Sequence, residues 1–211
     1  MIVFCNKVST NIKKREGRGG RIELLQFSQE DCPVYLKEQI IFLMRNEWPR
    51  AFEGQNEDIR WPDCPETQPT SLVLVENDVV ISHIAIPCKH IKHRGQTYKT
   101  FGLSEVMTNP SYRNQGFGVR LVKEAVSFIE KTDPDIGIFT CEPSLVDFYT
   151  QGGWEQAKRT YLIGGTRNKP FRSDSLGLCT MIRYFSDQAQ QNRVAFEEAD
   201  VYLELGEGKL W

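Results

Sequence analysis

Hydrophobic residues recur at helical spacing in two stretches of the chain. Between Glu30 and Trp48 they stand three and four positions apart, at Leu36, Ile40 and Leu43 or Met44. Between Gln115 and Lys131 the same spacing returns at Leu121, Val122, Ala125, Val126 and Ile129. Each stretch therefore predicts an amphipathic helix with one face toward a core.

The segments around the second helix have the short apolar runs that are typical of strands. "SLVLV" and "VVISHIAI" flank Asn77-Asp78, which predicts a β-hairpin, and a second hairpin is expected around Arg94-Gly95, from "CKHIKH" into "YKTFGLSEVMT". After the helix we expect a buried strand "IGIFTC", a short helix "PSLVDFYTQ" that ends at Gly152-Gly153, and late strands in "WEQAKRTYLIGG" and "LCTMIRYF".

The remaining segments lack a hydrophobic period. Residues 1–20 are basic and glycine-rich and predict a flexible arm, solvated rather than bound to nucleic acid. Residues 49–71, rich in proline and acidic residues, predict a long loop, and such loops are often functional. Residues 21–211 are expected to form one domain, in which 194–211 is an acidic tail.

Composition narrows the class of protein further. The chain has 211 residues, 40% of them hydrophobic, with a formal charge of −2, so neither nucleic acid nor a membrane surface is an expected partner. No apolar run approaches the ~20 residues of a membrane span, and we expect a cytoplasmic protein. No two cysteines are close enough in sequence for a zinc or redox pair, which predicts reduced thiols and no metal site.

The sequence "RNQGFG", Arg113 to Gly118, stands where the second helix begins. A helix N-terminus presents free N–H groups and a positive dipole, so a loop without Cβ atoms there suits a phosphate, and Arg113 adds a charge. The spacing matches neither the ATP-binding P-loop nor the dinucleotide fingerprint. The alternative is a tight turn in which Gly116 and Gly118 only relieve strain.

This loop resembles the pyrophosphate loop R/Q-x-x-G-x-G/A of the GCN5-related N-acetyltransferase (GNAT) family, and the order of predicted elements is also similar. The resemblance implies an α/β (α+β) fold with a mixed central sheet, antiparallel N-terminal strands, flanking helices and acetyl-CoA bound at a splayed central strand. It also implies a strand bulge that pairs with pantetheine. The implied cofactor-binding residues are Val106, Met107, Thr108, Arg113, Asn114, Gln115, Gly116, Phe117, Gly118 and Val119.

Two residues suit the chemistry of acetyl transfer to an amine, which requires a proton acceptor for the amine and an acid near the leaving thiolate. The resemblance implies that Tyr149 is the acid; the alternative is a packing tyrosine. Glu105 is the candidate base, because a carboxylate on a core strand is costly unless it is paired or used; the alternative is a solvent-facing strand end. Cys141 is expected to be buried packing, and His83, His90 and His93 to be surface or cross-strand residues.

Within the family, "GLSEVMT", "GIFTCEPSLVDFYTQGGW" and the ending "GEGKLW" are most similar to the aminoglycoside 2'-N-acetyltransferases, which confer antibiotic resistance. That similarity implies an aminoglycoside or related amino sugar as acceptor and a C-terminal segment that reaches the acceptor pocket. The implied substrate-binding residues are Glu57, Asp58, Asp174 and Trp211. Lys209 departs from the pattern, since it replaces an aspartate and would repel an ammonium group.

Two other functions remain open at this stage. One is a GNAT acyltransferase for another small amine, and the other is a regulatory module that binds acetyl-CoA without turnover. The expected partner is a small-molecule amine, and the sequence leaves open whether two copies pair as a homodimer through strand edges or the C-terminal segment.

Overall fold

In a computed structural model, residues 21–54 and 59–211 are described, and within them the strands form three sheets. The proposed basic arm, 1–20, and two predicted substrate-binding residues, Glu57 and Asp58, lie outside the described residues. Mixed sheets flanked by helices confirm the expected fold class.

The first sheet has the strand order β1-β2-β3-β6 and is antiparallel throughout. Its strands are β1 (Ile22–Ser28), β2 (Thr70–Glu76), β3 (Val79–Ile86) and β6 (Ser104–Thr108). The turn between β2 and β3 uses Asn77 and Asp78 at φ of +50° and +62°, as the sequence predicts. β1 was not predicted, because an edge strand of mixed polarity carries little periodic signal.

The second sheet has the order β4-β5-β7-β11-β8. It comprises β4 (Cys88–His93), β5 (Gln96–Phe101), β7 (Ile136–Cys141), β8 (Glu155–Gln156) and β11 (Cys179–Tyr184). The predicted turn at Arg94-Gly95 joins β4 to β5. The strand predicted from Tyr98 to Thr108 is broken at Gly102, where the N–H of Gly102 donates to the oxygen of Pro87 at 3.0 Å. One long hairpin thus bends from the second sheet into the first.

The bend separates two strands that would otherwise be neighbours. β5 runs parallel to β7 only at Thr100 and Phe101, and its continuation β6 pairs instead with β3. A gap consequently opens between β6 and the later part of β7. This is the splay that the family resemblance implies.

Helices cover the sheets. They are α1 (Val34–Glu47), α2 (Phe117–Glu130), α3 (Val146–Gln151) and α4 (Asp187–Gln191). α2 buries all five residues predicted for its apolar face, and α1 buries Leu36, Ile40 and Leu43. α1 begins later than the predicted Glu30, because Pro33 keeps Cys32 extended at ψ 127°.

The C-terminal segment packs against the domain. It contributes β12 (Asp200–Tyr202), which pairs in parallel with β9 (Tyr161–Thr166), and β9 also pairs with β10 (Lys169–Arg172). Its buried residues are Phe196, Ala199, Val201, Leu203, Leu205 and Trp211. Residues 194–211, expected as an acidic tail, are packed into the domain, because their apolar residues, at alternate positions from 199 to 205, enter the core.

Among the described residues, no helix is both long and apolar enough to span a membrane.

Candidate active site

The loop before α2 has an open front at Gly116. Gly116 caps the helix at φ +81°, a conformation that residues with a Cβ rarely adopt, and a Cβ built on it would meet nothing within 4 Å. Asn114 is also left-handed, at φ +61°. The free N–H groups of the first turn of α2 therefore face an unobstructed space, which suits an anion.

Gly118 has a different role from Gly116. A Cβ there would lie 3.1 Å from the ring of Phe148 and 3.2 Å from Oγ1 of Thr108. Gly118 thus lets the start of α2 approach α3 and β6 closely. The sequence interpretation, in which both glycines clear the way for a ligand, holds for the geometry of Gly116, whereas Gly118 makes room for a neighbouring ring.

Arg113 is held by two groups of the protein. Its Nε donates to the main-chain oxygen of Thr108 at 3.1 Å, and its Nη2 forms an ion pair with Glu47 at the end of α1. Glu47 was not predicted as a site residue, since it lies 66 positions away in sequence. The guanidinium therefore stands at the loop with one anionic partner already in place.

A cavity of about 470 Å³ lies in front of this loop. Nine of the ten predicted cofactor-binding residues line it: Val106, Met107, Thr108, Arg113, Asn114, Gly116, Phe117, Gly118 and Val119. Gln115 does not line it, and its amide donates to the oxygen of Ser111 at 3.5 Å. The cavity runs from the start of α2 along β6 to α3, and we call it the cofactor cavity.

A β-bulge interrupts β6 where the cofactor cavity ends. His83 is opposite Met107 and Ala85 is opposite Ser104, so two residues, Glu105 and Val106, face Ile84 alone. Glu105 has φ +51°. The bulge was expected at residues 106–108 and begins one residue earlier, at Glu105, whose side chain lines the second cavity and not the cofactor cavity.

Tyr149 lines the cofactor cavity from α3. It is buried, with its ring 4.8 Å from that of Phe139 and 4.9 Å from that of Phe148, centroid to centroid. Burial raises the pKa of its hydroxyl above the usual value of a tyrosine, and the nearby Cys141 adds to the effect. The phenol therefore carries its proton at neutral pH, as a proton donor must.

Cys141 is not suited to act as a nucleophile. Burial raises the pKa of its thiol to about 12, so the thiolate is scarce at neutral pH. The expectation that Cys141 is a packing residue agrees with its burial at the end of β7.

The carboxylate of Glu105 is almost enclosed, with 11% of its side chain exposed, and two neutral donors hold it. Nε2 of Gln29 donates to Oε2 at 2.8 Å, and Nε1 of Trp61 lies 3.0 Å from Oε2 and 3.2 Å from Oε1. Burial raises the pKa of Glu105 to about 7, although both donors oppose the rise, and Asp63 adds to it. A carboxyl with this pKa can accept a proton near neutral pH, as a general base must.

His83 lies beneath Glu105 and is fully buried, not at the surface. Its Nε2 is 2.9 Å from Oγ of Ser71, and its Nδ1 is 3.2 Å from the main-chain oxygen of Glu105. Burial lowers the pKa of His83 to about 3, so the ring is neutral. His83 thus fixes the main chain of the bulge without adding a charge.

A second cavity, of about 570 Å³, lies on the other side of the bulge, and we call it the acceptor cavity. Glu105 and Ser104 line it from β6, while loop residues and the C-terminal segment close its sides. Its aromatic lining residues are Trp48, Phe52, Trp61 and Trp211. The bulge lies between the two cavities, since Glu105 lines one and Val106 lines the other.

Trp211 closes the splay between β6 and β7. Its main-chain oxygen accepts hydrogen bonds from the N–H of Thr140, at 2.9 Å, and from the Thr140 hydroxyl. Its ring lies against Gly102, where a Cβ would come within 2.6 Å of the indole. The C-terminal segment therefore forms a wall of the acceptor cavity.

Asp174 does not line the acceptor cavity. It forms an ion pair with Arg172 at 3.1 Å, and Arg172 also pairs with Asp200 at 2.9 Å. The expectation that Asp174 faces the acceptor is wrong for this structure, because Arg172 holds it at the edge of β10 instead.

Comparison with known proteins places this geometry in context. A family model described as an acetyltransferase (GNAT) domain matches residues 36–157. No curated protein sequence matches the chain.

Solved structures share its fold. An acyl-CoA N-acyltransferase from Pseudomonas aeruginosa superposes with a TM-score of 0.55 at 13% identity, over 77% of this chain and 99% of that one. ElaA from Escherichia coli gives 0.54 at 15% identity, over 77% and 99% of the two chains. An aminoglycoside 6'-N-acetyltransferase complexed with coenzyme A gives 0.53 at 14%, over 76% and 97%.

Proposed function

The chain belongs to the GNAT acetyltransferase family, and on that premise we propose that it transfers the acetyl group of acetyl-CoA to an amino group of a small molecule. One observation carries the proposal: a cavity lies on each side of the bulge of β6, with a buried carboxylate in one and a buried phenol in the other. Acyl transfer to an amine needs this pair, a base for the amine and an acid for the thiolate.

The cofactor cavity supplies the binding half of the proposal. The N–H groups that open α2 and the guanidinium of Arg113 would hold the pyrophosphate of acetyl-CoA. The strand residues Val106 to Thr108 would accompany the pantetheine arm toward the bulge. The donor's thioester would then lie beside Tyr149.

The chemistry then needs three proton transfers, two from the nitrogen and one to the sulfur. Glu105, directly or through a water, takes a proton from the acceptor's ammonium group, and the free amine attacks the thioester carbonyl. As the new C–N bond forms and the C–S bond breaks, Tyr149 gives its proton to the departing sulfur, and the second proton of the nitrogen restores the Tyr149 hydroxyl. The raised pKa of Glu105 lets its carboxylate accept a proton near neutral pH, and Tyr149, whose pKa is also raised, holds its proton until the thiolate forms.

The acceptor proposed from the sequence resemblance is an aminoglycoside or a related amino sugar. Its support is the position of Trp211, whose segment lines the acceptor cavity beside Glu105. A second candidate, another small amine, is favoured by Lys209, which also lines this cavity and carries a positive charge. A regulatory module without turnover is less consistent with the site. Such a module would need neither proposed catalytic group, yet Glu105 and Tyr149 are both buried and each lines one of the two cavities.

The test is release of free CoA from acetyl-CoA, measured against a panel of amines with the wild type, Glu105→Gln and Tyr149→Phe. We expect acetyl-CoA to stabilise all three proteins against heat and turnover to fall in both variants. Stabilisation by acetyl-CoA without release of CoA for any amine would refute the enzyme and support the module.

A further inference from the structure

The charged groups of the acceptor cavity nearly cancel. Among its described lining residues, two cations, Arg60 and Lys209, face two surface carboxylates, Asp63 and Glu207, in addition to Glu105. Aminoglycosides carry several ammonium groups, so a site for them is expected to present an excess of carboxylates. The described residues of this cavity present Glu105 and little net charge besides.

Both surface carboxylates already have cationic partners. Nζ of Lys209 lies 3.2 Å from Oδ1 of Asp63 and 2.6 Å from its main-chain oxygen. Glu207 pairs with Nζ of Lys169 at 2.7 Å. Such exposed pairs add little stability, but each cancels most of the field that its carboxylate would project.

Lys209 is built into the wall of the cavity. Its main-chain oxygen accepts from the N–H of Gly165 at 3.0 Å, which ties it to β9, while its side chain reaches the loop that carries Asp63. Partial burial works to lower the pKa of Lys209, but the hydrogen bond and charge of Asp63 outweigh it, and the net pKa is raised. Lys209 therefore remains positive in the working range of the proposed base.

We propose that Lys209 is a specificity-determining residue that restricts the acceptor to amines with a single positive charge. The inference rests on the proposed N-acetyltransferase function and names the substrate class of the same site. One ammonium group can deliver its proton to Glu105, while the body of the molecule lies against the aromatic walls. Each further ammonium group would lose water and meet either a cation or a carboxylate that is already paired.

The experiment compares two amino sugars that differ in charge. Glucosamine has one amine and kanamycin has four, and kcat/KM is measured for each with the wild type, Lys209→Met and the control Lys123→Met. Lys123 is exposed on α2 and lines neither cavity, so its variant changes the net charge equally. We expect the wild type to prefer glucosamine, and Lys209→Met to raise the kanamycin to glucosamine ratio about tenfold, an effect that salt weakens.

A second variant acts in the opposite direction. Asp63→Asn removes the carboxylate that neutralises Lys209 and is expected to lower the kanamycin to glucosamine ratio. Stabilisation by acetyl-CoA reports whether each variant is folded.

The outcomes separate this inference from the proposed function. A wild type that acetylates kanamycin as efficiently as glucosamine, or an unchanged ratio in Lys209→Met, overturns the role of Lys209 and leaves the acetyltransferase intact. Binding of acetyl-CoA without acetylation of any amine overturns both.

Discussion

Nδ1 of His83 lies 3.8 Å from Oε2 of Glu105, but its hydrogen bond goes to the main-chain oxygen of that residue, at 3.2 Å. A carbonyl oxygen only accepts, so Nδ1 carries the proton and Nε2 accepts from the hydroxyl of Ser71. The neutral imidazole thus holds the bulge by its backbone. The carboxylate of Glu105 therefore accepts hydrogen bonds from Gln29 and Trp61 and faces the acceptor cavity.

The pH profile should follow Glu105. Its pKa is raised to about 7, and only the unprotonated carboxylate can accept a proton, so kcat/KM should rise with pH through about 7. Glu105→Gln should lose about 10²- to 10⁴-fold in kcat/KM and the part of this rise that Glu105 causes. Steady-state rates between pH 5 and 9 are the measurement. Glu38→Gln, an exposed change on α1, should leave the profile as it is.

Full activity in Glu105→Gln would exclude this residue as the base. A profile that still rises near pH 7 in the variant would assign the titration to the substrate amine.

The hydrogen bond from Trp61 should lower the pKa of Glu105. Trp61→Phe keeps a ring in the wall but removes the N–H that stabilises the Glu105 carboxylate, so the pKa of Glu105 should rise. A hydrogen bond to a charged group is worth about 1.5–3 kcal/mol, which corresponds to an upward shift of about one pH unit or more in the acid limb of kcat/KM. Trp48→Phe is the matched control, since Trp48 lines the same cavity, whereas the described donors to the Glu105 carboxylate are Gln29 and Trp61. If the acid limb of kcat/KM does not shift in Trp61→Phe, the indole only packs in the cavity wall and does not set the pKa of Glu105.

Tyr149→Phe should reduce turnover without weakening the cofactor site. The ring contacts with Phe139 and Phe148 are retained, and only the acidic proton is lost. We expect kcat to fall about 10²- to 10³-fold while the Kd of acetyl-CoA, from calorimetry, stays within about twofold. Tyr112→Phe is the comparison, because that tyrosine lines the same cavity with its hydroxyl 3.3 Å from Glu76. Equal losses in the two variants would remove Tyr149 from the acid role.

Glu47→Gln should tighten CoA binding. Glu47 pairs with Arg113 at the loop that we assign to the pyrophosphate, and its negative charge opposes that of the ligand. Removal of this half-exposed carboxylate should lower the Kd of CoA about threefold to tenfold at low ionic strength, and less in 0.5 M salt. The titration is run with CoA on the wild type, Glu47→Gln and Glu38→Gln. A weaker complex in Glu47→Gln alone would instead mean that Glu47 orients Arg113 for the ligand.

Much of this molecule follows from short-range pattern. The apolar face of α2 is correct residue by residue, because the helical period is a property of neighbouring positions. The turn at Asn77-Asp78 and the capping glycine Gly116 follow equally, since each depends on the local preference for positive φ. Local sequence signals also identified the loop from Arg113 to Gly118, most of which lines the cofactor cavity.

The partners of the site residues could not be predicted in this way. Gln29 and Trp61 reach Glu105 across 76 and 44 positions, and Glu47 reaches Arg113 across 66. No spacing in the sequence indicates such contacts. The error over Asp174 has the same origin, since an acidic residue between late strands was assigned to the acceptor without knowledge of Arg172.

The sequence by itself determined both long helices and most of the strands, the family loop and the two residues proposed for chemistry, because periodicity, turn preference and residue type are local properties. Tertiary structure alone decided the pKa of Glu105, the wall that Trp211 forms and the pairing of Lys209 with Asp63. These depend on burial and on distances between segments that are far apart in the chain, and the bend at Gly102 brings those segments together.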